Sequence, residues 1–169
     1  MLTAYADIPR KTNIIPSGTY ALAKNIATVN TQGLETDIEY KTAFSKHSSF
    51  AATSGLLFLK SESNNNIPSF YINSHAKFLT NFSLRYTFKA ASISFNGLYK
   101  IRAGREARAI ETSVSKDYFV LNGQLAYAIK ENRLKAFIET SNIFDRKYSD
   151  ILGSVMPGRW ILGGIQCNF

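Results

Sequence analysis

Cysteine is almost absent from this chain of 169 residues, with Cys167 the single example. No internal disulfide can form, which excludes a small disulfide-stapled fold. The two histidines, His47 and His75, are far apart in sequence and make a poor pair of metal ligands. No nucleophile elbow, phosphate-cradling glycine loop or zinc spacing occurs, so neither an enzyme nor a bound cofactor or metal is expected. No run of eighteen apolar residues exists, which excludes a transmembrane helix. The first ten residues carry no basic segment followed by an apolar core, so no signal peptide is visible there. A role outside the cytoplasm would make this chain a fragment or a matured piece. Charged residues are sparse at 19%, against about 25% in an ordinary soluble domain. Acids are scarcer than bases, 12 against 20, which leaves a net charge of +8. The bases are scattered (Arg10/Lys11, Lys100/Arg102/Arg105/Arg108, Lys130/Arg133/Lys135, Arg146/Lys147). That scatter does not choose among nucleic acid, anionic lipid and an anionic ligand.

What the chain does have is alternation. Backwards from the end, Phe169, Cys167, Ile165, Gly163 and Ile161 are apolar or small, with Asn168, Gln166, Gly164, Leu162 and Trp160 between them. A period of two gives a sheet one apolar face and one mixed face. Over 33–44 the even positions are Leu34, Thr36, Ile38, Tyr40, Thr42 and Phe44, while Glu35, Asp37, Glu39 and Lys41 occupy odd ones. Residues 49–61 carry apolar residues in both phases, consistent with a bulge or a wholly buried stretch. Residues 1–24, with Pro9, Pro16 and Gly18, read as a long loop leading into the strands that fill 25–169.

Two segments carry the strongest pattern. Phe78, Thr80, Phe82, Leu84, Tyr86 and Phe88 share one phase, and so do Ile93, Phe95, Gly97, Tyr99 and Ile101. A two-residue turn at Lys89-Ala90, the commonest hairpin loop length, pairs Phe88 with Ala91, Tyr86 with Ile93, Leu84 with Phe95, Phe82 with Gly97 and Phe78 with Ile101. A slip of one residue would ruin every match. A turn at Glu131-Asn132 likewise pairs Ile129 with Leu134, Tyr127 with Ala136 and Leu125 with Ile138. Seven strands are expected, near 25–44, 49–61, 73–88, 91–104, 117–130, 133–145 and 158–169. Short linkers (45–48, 89–90, 131–132) alternate with long ones (61–72, 103–117, 146–157). Outer-membrane barrels segregate short periplasmic turns from long outer loops in this way. Aromatics near strand ends (Tyr40, Phe44, Tyr86, Phe88, Phe119, Tyr148, Trp160, Phe169) fit interfacial girdles. The expected fold is all-β: an antiparallel meander of long transmembrane strands of an outer-membrane barrel, with a periplasmic carboxyl terminus.

The run Asn142-Ile143-Phe144-Asp145-Arg146-Lys147-Tyr148, then Pro157-Gly158-Arg159, then the alternating strand to Phe169, resembles the carboxyl-terminal end of a TonB-dependent outer-membrane receptor. Asn25 to Glu35, with Gly33-Leu34-Glu35, resembles a Gly-x-Glu strand of that family. The resemblance implies a plugged barrel of about 22 strands that imports iron-siderophore complexes or cobalamin. It implies energy delivered through TonB, which would contact an amino-terminal part that this sequence lacks together with the plug. This chain alone is therefore expected not to transport. Its surroundings would be outer-membrane lipid and lipopolysaccharide.

Several groups are candidates for sites. Glu35, Asp37 and Glu39 project from one face roughly 7 Å apart and are expected to line the lumen opposite Lys or Arg of neighbouring strands. Arg102, Arg105 and Arg108, near Gly104, are expected in an outer loop, where they could meet an anionic ligand or lipopolysaccharide phosphate. Asn142, Phe144, Asp145, Tyr148, Pro157, Gly158 and Arg159 are expected mainly to shape the last hairpin, and Phe169 ends the carboxyl-terminal motif. Two other readings stay open. One is a self-contained eight-stranded outer-membrane barrel with an adhesion or structural role, using residues 13–24 as a strand. The other, ranked last, is a basic soluble β protein binding nucleic acid, which predicts aromatics and bases on one exposed face. Here they mostly take opposite faces.

Overall fold

A computed structural model describes residues 29–63, 75–102, 106–107, 112–130, 133–151 and 154–167. Residues 1–24, Tyr20 within them, the strand start at 25–28, Arg105, Arg108, the turn at 131–132 and Phe169 lie outside the described residues. The strands are β1 (Val29–Ser45), β2 (Ser48–Ser63), β3 (Ala76–Phe88), β4 (Ala91–Arg102), β5 (Glu106–Ala107), β6 (Thr112–Ser113), β7 (Asp117–Lys130), β8 (Leu134–Ser141) and β9 (Trp160–Cys167). Seven of them form one antiparallel meander in the order β1-β2-β3-β4-β7-β8-β9. β5 and β6 make a separate two-stranded ribbon inside the linker read from sequence as a loop.

The Lys89-Ala90 hairpin has the register that side-chain matching requires, with Phe88 opposite Ala91, Leu84 opposite Phe95 and Phe82 opposite Gly97. Lys89 takes a positive φ of 52° at this turn, and its amide donates to the His47 carbonyl at 2.7 Å. Adjacent short turns are thereby tied together. The β7–β8 hairpin departs by one position. Tyr127 and Leu125 face Ala136 and Ile138, but a bulge between Ala128 and Lys130 sets Lys130, not Ile129, opposite Leu134. β8 stops at Ser141, earlier than alternation predicts, because Asn142 turns left-handed at φ 50°.

The pleat separates the sheet into two chemically distinct faces. One lateral row reads Tyr40, Ala52, Leu84, Phe95, Gly123, Thr140, Ile161 across all seven strands. The row beside it reads Glu39, Thr53, Ser83, Asn96, Asn122. On the first face, between the levels of Thr36 and Tyr127, no paired strand residue is charged, and Asp117, opposite Ile101, stands one row further out at the level of Leu34. Only past Phe58 do Lys60 and Glu62 appear there, bridged at 2.7 Å. Phe82 and Phe119 stack at 6.3 Å between centroids across Gly97, where any Cβ would collide with the Phe82 ring.

No described large side chain is fully buried, and the buried apolar residues are few: Val114, Tyr118, Val120 and Ala126. The large hydrophobics instead line the apolar face in the open, with Leu125 52% and Ile165 67% exposed. Trp160 is an exception among the expected girdle aromatics. It pairs with Ser141 on the polar face, whereas Tyr40, Tyr86 and Phe88 hold the apolar face near the short turns.

Candidate functional site

The segment between β8 and β9 is built around Asn142. Its left-handed backbone suits Asn better than most residues, because a short polar side chain can bond locally there. The Asn142 amide group donates through Nδ2 to the carbonyls of Arg146 (2.9 Å) and Pro157 (3.3 Å), and its Oδ1 accepts from the Arg146 amide at 2.9 Å. Its own backbone N–H donates to Asn122 Oδ1 at 2.8 Å. Asn142 is only 3% exposed. Asp145, also left-handed, accepts the Arg159 amide at 2.8 Å. A Cβ on Gly158 would come within 2.7 Å of the same carboxylate oxygen, so this contact needs glycine. Phe144 reaches back to Phe119, 6.1 Å between centroids. Asn142, Phe144, Asp145, Pro157, Gly158 and Arg159 therefore form one clasp that turns the chain from β8 into β9.

Tyr148 belongs to a second, charged cluster. Asp150 receives hydrogen bonds at Oδ1 from Lys100 Nζ (3.0 Å), Tyr118 OH (2.8 Å) and Arg102 Nη2, which also donates to the Asp150 backbone carbonyl at 3.2 Å. The Tyr118 and Tyr148 rings stack at 4.5 Å. Burial alone would raise the Asp150 pKa, but the bonds from Tyr118 and Lys100 and the charges of Lys100 and Arg102 win and hold it below the usual carboxylate range. Tyr148 is pushed up by burial and by the Asp150 charge, so it stays neutral. Chemically the cluster fastens the segment between β8 and β9 to the ends of β4 and β7.

Arg102 is thus the last residue of β4 and almost wholly buried, not a solvated loop side chain. Its Nε and Nη1 are buried without a hydrogen-bond partner among the described residues. Lys100, Tyr118 and Asp150 were not singled out by sequence reasoning. The signal available was register: the β4–β7 pairing sets Lys100 level with Tyr118, which places Arg102 beside the start of β7.

The other candidates remain separate. Glu35, Asp37 and Glu39 face Leu57, Gly55 and Thr53 of β2, not bases. The expected Lys or Arg opposite them is missing on that side, and the basic partner found is Lys41 of the same strand, 2.5 Å from Glu39. His47 sits in the β1–β2 turn and His75 immediately before β3, so they lie at opposite ends of the sheet. No group of three potential metal ligands occurs among the described residues. Cys167 is free and exposed on the apolar face, opposite Leu134. Near the short turns, Arg85, Lys89, Ser92, Gln124 and Lys135 line a shallow concavity open to solvent. No protein-family model matches the chain, and no curated protein matches it.

Proposed function

We propose that this chain is a section of wall of an outer-membrane β-barrel, of the TonB-dependent receptor kind. The whole receptor would take up an iron-siderophore complex or cobalamin, drawing energy from TonB through its amino-terminal part. The observation that carries the membrane reading is the uncharged, exposed apolar face spread over all seven strands. An open apolar face of this extent is costly in water and favourable in lipid. On β3 the band runs from Phe78 to Phe88, or roughly 34 Å along the strand. At the ~45° tilt usual in such barrels it stands about 24 Å tall, close to the ~25 Å apolar band of outer-membrane barrels. The polar face would then line the lumen and the short turns would be periplasmic. The receptor part of the proposal rests on the resemblance of the Asn142–Arg159 clasp and the last strand.

The test uses single cysteines in a Cys167→Ser background, in vesicles of outer-membrane phospholipid. Nitroxides at Leu125 and Ile138 should be relaxed by lipid-soluble oxygen, and nitroxides at Gln124 and Glu139 by a water-soluble nickel chelate. Recovery of the chain as a soluble monomer without detergent would overturn the membrane reading. Uptake belongs to a further experiment: the chain joined in frame to a receptor lacking this part should restore growth on a ferric siderophore or cobalamin.

A further inference from the structure

We infer that the outer edge of β1 is the docking edge for a strand whose lumenal face is basic, and that an odd number of strands separates β1 from β9. The inference rests on the barrel reading and adds the identity of the missing neighbour. Six successive antiparallel pairings connect β1 to β9, so the two edge strands run in the same direction. Neither has a second neighbour among the described residues, and an edge in lipid leaves backbone groups without partners. Bacterial barrels are antiparallel throughout, with even strand numbers. Direct closure of β9 on β1 would create a parallel seam. A second copy of this chain, inserted with the same orientation, would create two such seams, because it too offers only β9 to β1. An odd number of intervening strands removes the conflict.

The two edges differ in charge, and this difference orders the neighbours. Glu35, Asp37 and Glu39 stand on the polar face of β1 opposite neutral β2 residues. Among the described residues the one ion pair to them is from Lys41, of β1 itself, to Glu39. Three acids in a row on an edge strand favour bases opposite them and reject acids. β9 shows the lumen Trp160, Leu162, Gly164 and Gln166, none charged. The basic strand is thus assigned to β1 and a neutral one to β9. Residues 13–24 hold a single base, Lys24, and Pro16 interrupts them, so their sequence cannot supply the matching row.

The experiment uses the full chain, Cys167→Ser, in zwitterionic detergent micelles, with Thr36→Cys on β1 or Ile161→Cys on β9. Two synthetic twelve-residue peptides serve as probes, both with alternating leucines and one cysteine, one with lysines and the other with glutamates on the second face. The lysine peptide should form a disulfide with T36C at about tenfold lower concentration than the glutamate peptide, and the preference should vanish in E35Q/D37N/E39Q. Equal coupling of both peptides, or a stronger lysine preference at I161C, would overturn the inference. A chain that failed to enter micelles would instead count against the barrel reading, so the two failures are distinguishable.

Discussion

At the scale of single residues, the clasp and the Asp150 cluster are two kinds of contact with different vulnerabilities. Asn142 combines three side-chain hydrogen bonds with a left-handed backbone. Asn142→Ala should cost about 2–3 kcal/mol, the sum of modest net hydrogen-bond terms and the αL penalty. Asn142→Gly keeps the backbone and should recover about 1 kcal/mol of that loss. Urea unfolding in micelles reads both, and equal losses would assign the whole effect to the side chain. The charged cluster answers to pH. The Asp150 carboxyl lies lower in the folded chain than in the unfolded one. Its stabilising contribution is fully present above the unfolded value near 3.9 and is lost as pH falls through the folded value. The segment between β8 and β9 should therefore hold down to about pH 4 and release below it, followed through the ring resonances of Tyr118 and Tyr148. In Asp150→Asn the released state should persist across the whole range. Little of this cluster was legible in the sequence. Lys100, Arg102, Tyr118, Tyr148 and Asp150 come from three separate segments, and no spacing rule links them. The clasp was more legible, because Asn, Asp, Pro and Gly carry their turn chemistry locally.

At the scale of elements, legibility followed turn length. The β3–β4 register could be read residue by residue because a two-residue turn leaves no freedom between turn and pairing. The β7–β8 register was read one position off next to the turn, where the bulge at Ala128–Lys130 inserts a residue that alternation does not reveal. The turn at Lys89-Ala90 invites a local test. Lys89 bears a Cβ at φ 52°, a conformation costing roughly 1 kcal/mol for an L side chain. Lys89→Gly should stabilise the chain by about 0.5–1 kcal/mol. It leaves the amide bond to His47 in place, since only the side chain changes. A higher urea midpoint with an unchanged slope is the expected result. A lower midpoint would mean that the Lys89 ammonium over the Phe88 ring, 5.5 Å from its centroid, outweighs the backbone strain.

At the scale of the whole molecule, the division of the sheet into an apolar and a polar face was the most legible feature, because it depends only on a period of two, which most of the strands keep and residues 49–61 blur. It also sets the experiment in which a soluble and a membrane protein behave oppositely. Leu125 lies on the apolar face, half-exposed, and Gln124 beside it on the polar face hydrogen-bonded to Glu139 at 3.3 Å. In a soluble sheet, Leu125→Arg would replace an exposed apolar side chain with a charged one and cost within about 0.5 kcal/mol. In a bilayer the same change puts a guanidinium against hydrocarbon; at the level of Tyr86, between the interface and the midplane, it costs about 1–2 kcal/mol. Gln124→Arg should be tolerated, because its face is wet and Glu139 is at hand to pair with the new charge. The ratio of folded to unfolded chain in phospholipid vesicles measures both. A clearly larger penalty at Leu125 than at Gln124 assigns the apolar face to lipid. Comparable small effects at both positions would leave that face in water, and the barrel reading would fall with it.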